Sequence, residues 1–223
     1  MGNRILLALT MAVLGCACAL AATPPTGPVG SDGLAPMQAS RLDEFSVRPN
    51  TDLTSYRKVV VEPAQVEFKK GWLKDINRTR DLSRWLLPQD QQDIADNTAA
   101  NLHAVIVDAF KARGYEVVTK PGPGVLRVSP RVTDLYVNAP DIAAAAPARL
   151  FNIDAGEATL ILEVRDSANG TLLARVVDRG TARELSTRIN PAFAVTNQFW
   201  FDALFRQWTA AWIGEFDGTR VAR

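Results

Sequence analysis

Both cysteines of the chain, Cys16 and Cys18, lie at the end of a short apolar segment near the N-terminus. Residues 5–15 (ILLALTMAVLG) form an apolar run of 11 residues that follows Arg4. Because a membrane-spanning helix needs about 20 apolar residues, this run has the length of a signal-peptide core. Everything after this segment lacks cysteine, so its fold must depend on a hydrophobic core, without disulfides, thiolate metal sites or a cysteine nucleophile.

Two processing patterns overlap in this segment. Val13–Cys16 (VLGC) resembles the bacterial lipobox, in which the cysteine thiol takes a diacylglyceryl group and becomes the new N-terminus. Ala19–Ala21 (ALA) fits the small-x-small pattern of ordinary signal peptidase, which would release a soluble protein. We predict a lipoprotein signal peptide over residues 1–15 and lipidation of Cys16, including palmitate. Cys18 is then explained as a small hydrophobic residue.

The composition after the signal peptide separates a tether from a domain. Residues 22–40 are rich in Pro, Gly and small residues, which is typical of a disordered tether. We therefore predict that residues 16–40 hold the lipidated cysteine and the tether, and that residues 41–223 form a single globular domain. The chain without residues 1–15 has 24 basic and 24 acidic residues, so its charge gives no argument for nucleic acid as a partner.

Hydrophobic periodicity divides the domain into strands and helices. Their order predicts an α+β fold with two layers, in which two long helices pack on one face of a mainly antiparallel sheet of about five strands. The first half of the domain is predicted to hold a strand over Tyr56–Lys70, with Pro63 at an edge or bulge, then a loop or short helix, and then a helix over Gln89–Arg113. A short strand and a longer one through Val137 follow, and then a loop over 138–154. The last predicted elements are a hairpin with its turn at 166–170 and a helix from Pro191 or Thr196 to Phe216.

Two apolar patterns predict the core. Alternation in the hairpin places one set of side chains on the buried face: Ala158, Leu160, Leu162 and Val164. The last helix carries an aromatic stripe at helical spacing, formed by Phe201, Leu204, Phe205, Trp208, Trp212 and Phe216. This stripe fits the main core helix of the domain, and the alternative is a groove for a partner or a lipid-contact helix.

Catalytic and metal-binding patterns are missing from the sequence. His103 is the only histidine, and it flanks the apolar stripe of the long helix, so we predict a half-buried structural role for it. Three carboxylates lie at the start of that helix, where they interact favourably with the positive end of the helix dipole: Asp90, Asp93 and Asp96. We expect no catalytic residues, no metal and no cofactor, and therefore no enzymatic activity.

One segment has the composition of a binding surface. Residues 69–85, which we call the basic segment, hold six basic and two acidic residues, a net charge of +4. Such a segment suits anionic headgroups, a glycan or an acidic protein. The alternative is a solvent-exposed loop whose tryptophans pack into the core and hold it in place. The residues predicted for the surface are Lys69, Lys70, Trp72, Lys74, Arg78, Arg80, Arg84 and Trp85.

The sequence resembles a family of bacterial lipoproteins known as domain of unknown function 3313 (DUF3313). The resemblance rests on the lipobox, the tether, YRKVVVEP at 56–63, PGPGVLRV at 121–128 and the late aromatic helix. It covers most of residues 45–216, and it implies no functional residue except Cys16. Ala17, which follows this cysteine, implies sorting to the outer membrane.

These observations predict a non-catalytic lipoprotein of the bacterial cell envelope. It would face the periplasm, be held at the outer membrane by a lipid on Cys16, and act in assembly or maintenance by binding an envelope protein or a cell-wall component. Two alternatives remain open: a carboxylate-dependent hydrolase of envelope glycans, and a soluble periplasmic binding domain cut after Ala21.

Overall fold

The computed structural model describes residues 26–138, 154–183 and 197–221. Within them the chain forms a mixed α+β fold with eight strands and three α-helices. The helices are α1 Trp72–Arg78, α2 Pro88–Ala112 and α3 Asn197–Val221. The strands are β1 Ala35–Pro36, β2 Glu44–Val47, β3 Lys58–Val61, β4 Gln65–Phe68, β5 Glu116–Val117, β6 Val125–Val137, β7 Asp154–Asp166 and β8 Leu172–Arg183.

The strands form one sheet in the order β1-β2-β8-β7-β6-β3-β5, and β4 also pairs with β6. The first four ladders in this order, β1 with β2, β2 with β8, β8 with β7 and β7 with β6, are antiparallel, and the last two of these are the longest. The pairings of β3 with β5 and β6, and of β4 with β6, are parallel. The predicted mixed fold with a mainly antiparallel sheet is confirmed, but the predicted number of about five strands is too low.

Part of this difference comes from the strand predicted over Tyr56–Lys70. The structure divides it into β3 and β4, which pair one after the other with the first and second halves of β6. Pro63 lies between them, where its missing N–H costs no ladder hydrogen bond. The chain thus covers one edge of the long strand β6 with two short strands.

The other additional strands are short and lie outside the periodic parts of the sequence. β2 lies in the stretch after Arg41 that carries no clear pattern, and it pairs with β8. β1 lies within residues 26–40, which the sequence predicts as tether, and pairs with β2. Leu34 and Ala35 are buried there, because the sheet edge and the residues around it cover them. The folded part described by the structure therefore begins before the predicted boundary at residue 41.

The core lies where the long helices meet the sheet. The four hairpin side chains predicted to face the core are buried, as are the described members of the aromatic stripe on α3. α3 packs against β7 and β8, and α2 packs against α3 and against β3, β4 and β5. The two helices meet through Phe110 and Trp212, whose ring centroids lie 5.4 Å apart. The aromatic stripe is therefore core, and the side chain of Phe216 lies outside the described residues.

The ends of α2 follow from local chemistry. Pro88 occupies the first turn, where a missing N–H is tolerated, and the Asp90 carboxylate accepts a hydrogen bond from the backbone N–H of Leu87 at 2.6 Å. Gly114 ends the helix with a φ of 78°, a conformation that glycine adopts without strain. The predicted loop over 138–154 and the start of the last helix lie largely outside the described residues. Within the described ranges, no helix is both long and apolar enough to cross a membrane.

Candidate functional site

The basic segment connects β4 to α2 and borders a large groove. It contains α1 and a single turn of 3-10 helix over Leu82–Arg84. The groove has a volume of about 970 Å³ and is open to solvent. Its lining includes six of the eight predicted surface residues: Lys69, Lys70, Trp72, Lys74, Arg78 and Trp85. The structure therefore brings most of the predicted surface together, and Arg80 and Arg84 lie beyond the rim.

The two tryptophans of the segment have different environments. Trp72 is 1% exposed and packs against Phe68 with the rings tilted and their centroids 4.2 Å apart. Its Nε1 donates a hydrogen bond to the carbonyl oxygen of Val137 at 3.1 Å. Trp85 is 49% exposed, and its Nε1 donates to the carbonyl oxygen of Arg80 at 3.2 Å. Trp72 thus pins the segment to the core, whereas Trp85 presents an aromatic face to solvent.

Two of the cations have acidic partners. Lys69 Nζ lies 2.8 Å from Glu157 Oε1, and the hydrogen bond and charge of this carboxylate raise the pKa of Lys69. Arg78 lies 3.2 Å from Asp75 in an exposed i,i+3 pair. Water screens such exposed pairs, so they fix side-chain positions more than they stabilise the fold.

Three other cations are exposed and have no acidic partner among the residues that the structure describes: Lys70, Lys74 and Arg84. Their charges are therefore available to an anionic ligand. Arg80 has a different role, because its Nη1 donates to the carbonyl oxygen of Arg84 at 3.3 Å and closes the turn.

The loop after α1 is held by one asparagine. Asn77 Nδ2 donates to the carbonyl oxygen of Leu86 at 2.9 Å, and Asn77 Oδ1 accepts from the N–H of Leu86 at 2.8 Å. Leu86 itself is 4% exposed. This pair of hydrogen bonds fixes the position of Trp85, the neighbour of Leu86, above the groove.

Sequence reasoning missed two residues of this surface. Leu82 is 76% exposed and Leu87 is 62% exposed, beside the half-exposed Trp85. We call these three side chains the apolar patch. The pattern around them gave a weak signal, because each lies just before the amphipathic stripe of α2 begins and fits no periodic face.

A second, smaller pocket lies on the sheet, with a volume of about 280 Å³. Glu62 and Glu163 line it, and Glu62 accepts a hydrogen bond from Ser129. Burial alone would raise the pKa of Glu163, but hydrogen bonds and charges from Arg165 and Arg175 outweigh it and lower that pKa. A general acid of a glycosidase needs a raised pKa, so the lowered pKa of Glu163 does not fit that role, and its arginine neighbours hold it in ion pairs.

The remaining predicted residues have structural surroundings. His103 is half-buried, and its Nδ1 lies 3.2 Å from the carbonyl oxygen of Glu62. Within the described ranges, no three His, Cys, Asp or Glu side chains come together as metal ligands would. Cys16, the predicted lipidation site, lies outside the described residues.

Comparison with solved structures gives low overall similarity. A PelC dodecamer from Paraburkholderia phytofirmans is 13% identical, with 78% of this chain and 93% of that chain covered and a TM-score of 0.38. Protein XCC0632 from Xanthomonas campestris, of family DUF330, is 14% identical, with coverages of 73% and 88% and a TM-score of 0.38. The lipoprotein GNA1162 from Neisseria meningitidis is 15% identical, with coverages of 72% and 97% and a TM-score of 0.25. At these TM-scores, nothing about function follows.

Comparison at the level of families gives a definite result. No curated protein matches the chain. The family described as "Protein of unknown function (DUF3313)" matches residues 24–210, which is most of the chain and agrees with the resemblance seen in the sequence. The chain therefore belongs to the DUF3313 family.

Proposed function

We propose that the protein is a non-catalytic lipoprotein of the bacterial cell envelope. Lipidation of Cys16 anchors it, and the folded part faces the periplasm from the outer membrane. The anchor is supported by the VLGC motif after an apolar run too short to span a membrane. In this position the protein acts as a binding factor in the assembly or maintenance of the envelope.

The observation that carries the binding role is the surface around the basic segment. Lys70 and Lys74 line a groove of about 970 Å³ together with the half-exposed Trp85 and with Glu67, and neither lysine forms an ion pair within the part of the chain that the structure describes. An exposed aromatic ring beside uncompensated cations favours an anionic partner, because charge attraction steers it and the ring supplies contact area. The partner is an anionic component of the envelope.

Other features of the described residues support binding over catalysis. Hydrolysis by paired carboxylates needs one acid that stays protonated near neutral pH, and the lowered pKa of Glu163 does not suit this residue to that role. Asp178 has a raised pKa because it is partly buried, but it accepts a hydrogen bond from the N–H of Asp43 beneath α3 and does not line either pocket described above.

Photo-crosslinking in cells tests this proposal. A photoreactive amino acid replaces Lys74 in the groove or Arg84 beyond its rim, and the matched control replaces Lys120, an exposed cation on the turn before β6. We expect an adduct from positions 74 and 84 that saturates with expression level, and whose mass gives the class of the partner. No adduct from either position, or equal capture from position 120, would overturn the binding role of this surface.

A further inference from the structure

The apolar patch is an unusual concentration of exposed hydrophobic area. Four large hydrophobic side chains are exposed among the residues that the structure describes, and three of them are Leu82, Trp85 and Leu87. They lie within six consecutive positions. Single exposed hydrophobic residues are common on soluble proteins, but a group of this kind marks an interaction site.

The backbone around the patch is fixed, so these side chains are held toward solvent. Leu86 is buried between Trp85 and Leu87, and Asn77 bonds to both its N–H and its carbonyl oxygen. The N–H of Leu87 donates to the Asp90 carboxylate at the start of α2. Burying the patch within the domain would break these bonds, so its exposure is a property of the folded state.

Three cations near Trp85 form no ion pair within the described ranges, whereas Asp81 lies next to Leu82 and the Asp90 carboxylate accepts from the N–H of Leu87. Arg84 lies between Leu82 and Trp85 in the sequence, and Lys70 and Lys74 share the groove with Trp85. The basic segment carries a net +4, and the rest of residues 16–223 carries a net −4. The charge of the domain is thus segregated toward the patch, although the chain as a whole is close to neutral.

Exposed Leu and Trp side chains next to lysines and arginines are typical of surfaces that enter the headgroup region of a membrane. Leu side chains reach the acyl boundary, the indole ring remains at headgroup level, and the cations contact phosphates. A stable protein interface uses about 20–30 residues on each side, far more than this patch offers. Docking onto a membrane requires a smaller contact surface, since an anchored domain is already beside the membrane.

The chain length between the predicted anchor and the fold supports the same partner. Nine residues lie between Cys16 and Thr26, the first described residue, and these ten steps of the chain span at most about 36 Å when extended. An anchored domain is therefore confined next to the bilayer, where the effective concentration of headgroups is high and weak docking is sufficient.

We propose that the basic segment and the apolar patch dock onto the anionic phospholipid headgroups of the membrane that holds Cys16. This inference rests on the proposed anchoring and identifies the anionic partner as the membrane surface itself. The domain then lies against the bilayer with the basic segment facing the lipid.

Quenching of tryptophan fluorescence by brominated lipid tests the docking. The full lipidated protein is placed in vesicles of phosphatidylglycerol and phosphatidylethanolamine, or of phosphatidylcholine alone, each with brominated phosphatidylcholine. The wild type is compared with Trp85→Phe, Lys70→Glu/Lys74→Glu and the matched control Lys111→Glu/Lys120→Glu. The lipid on Cys16 keeps every variant on the vesicle, so the quenching reports docking. The tryptophans at 72, 208 and 212 are each 1% exposed, and the difference between wild type and Trp85→Phe isolates Trp85.

We expect the Trp85 emission to be quenched in the phosphatidylglycerol vesicles and much less in phosphatidylcholine. Each removed cation weakens docking about fivefold, so the Lys70/Lys74 variant loses the quenching and the control variant keeps it. Equal quenching in both vesicles, or no quenching of vesicle-bound protein, overturns the docking and leaves the anchoring intact. Failure of the wild type to associate with vesicles overturns the anchoring. A protein adduct from position 74 in the crosslinking experiment, without quenching, assigns the surface to a protein.

Discussion

Gly180 lies on β8 beneath α3, and replacing it with alanine would place a methyl group in space that is already filled. A Cβ at this position would lie 2.5 Å from Leu204 Cδ1 and 2.8 Å from Trp208 Cζ2. Carbon atoms in contact prefer about 3.5–4.0 Å, so the neighbours would have to move by roughly 1 Å. The Leu204 methyl can rotate, but the Trp208 indole is 1% exposed and has no free space to enter.

The expected cost follows from this geometry. Adding a methylene-sized group to a packed core costs about 1–3 kcal/mol. The φ of Gly180 lies outside the left-handed region, so alanine also reduces the entropy of the unfolded chain and regains about 0.4–1 kcal/mol. The central values of these ranges, about 2 and about 0.7 kcal/mol, give a net loss of about 1.3 kcal/mol for Gly180→Ala. At about 2–4 °C per kcal/mol for a domain of this size, the Tm falls by about 3–5 °C.

Thermal unfolding followed by circular dichroism measures this loss, with Gly214→Ala as the matched control. Gly214 lies on α3, and a Cβ there meets nothing within 4 Å. Alanine is favoured over glycine in a helix by about 0.8–1.0 kcal/mol, so the control should raise the Tm slightly. If Gly180→Ala unfolds at or above the wild-type temperature, the packing of α3 on β8 described here is wrong.

Three further predictions concern polar groups. Partial burial raises the pKa of Asp178 above its ordinary value of 3.8. Between these two pKa values the native state binds more protons than the unfolded state, so the stability of the fold falls as the pH rises. Asp178→Asn should therefore raise the Tm at pH 7, with a gain that vanishes as the pH approaches 3.8. Tyr56 donates a hydrogen bond of 2.6 Å to Asp166 and lowers its pKa; Tyr56→Phe should cost about 1.5–3 kcal/mol at pH 7 in chemical denaturation, and less in acid, where Asp166 is protonated. Asn77→Ala removes both hydrogen bonds to Leu86 and should cost about 1–3 kcal/mol, with faster amide hydrogen exchange at Leu86.

Each of these predictions has a clear contrary result. A Tm gain for Asp178→Asn that is the same at pH 4 and pH 7 would show that the carboxylate is not disfavoured in its charged form. A pH-independent cost for Tyr56→Phe would separate that hydroxyl from the titration of Asp166. Unchanged exchange at Leu86 in Asn77→Ala would mean that the loop is held by other contacts, and the fixed orientation of the apolar patch would lose its basis.

The long elements of the fold could be predicted because their patterns repeat many times. The sequence predicts a helix over Gln89–Arg113, and α2 spans Pro88–Ala112, since several turns of apolar spacing agree with one another. β1 and β5 have two residues each, which is a single period of a strand. Their existence depends on partners far away in the sequence, so the predicted strand number was too low.

The sequence predicts which segment forms the candidate site, but it does not predict which side chains of that segment are exposed. The basic composition of residues 69–85 is local, so the sequence alone identified it. The different exposures of Trp72 and Trp85 depend on distant groups, such as the Val137 carbonyl oxygen that accepts from Trp72. The exposure of Leu82 and Leu87 likewise depends on how Asn77 holds the loop, and hydropathy alone does not show this.

The most direct test of the account is detergent phase partitioning of the expressed protein, wild type beside Cys16→Ala, with the intact mass of the N-terminus. We predict that the wild type enters the detergent phase with acyl mass on Cys16, and that the variant remains in the aqueous phase. If both proteins remain aqueous and begin at Ala22, the lipid anchor does not exist, and the protein is a soluble product of ordinary signal peptidase.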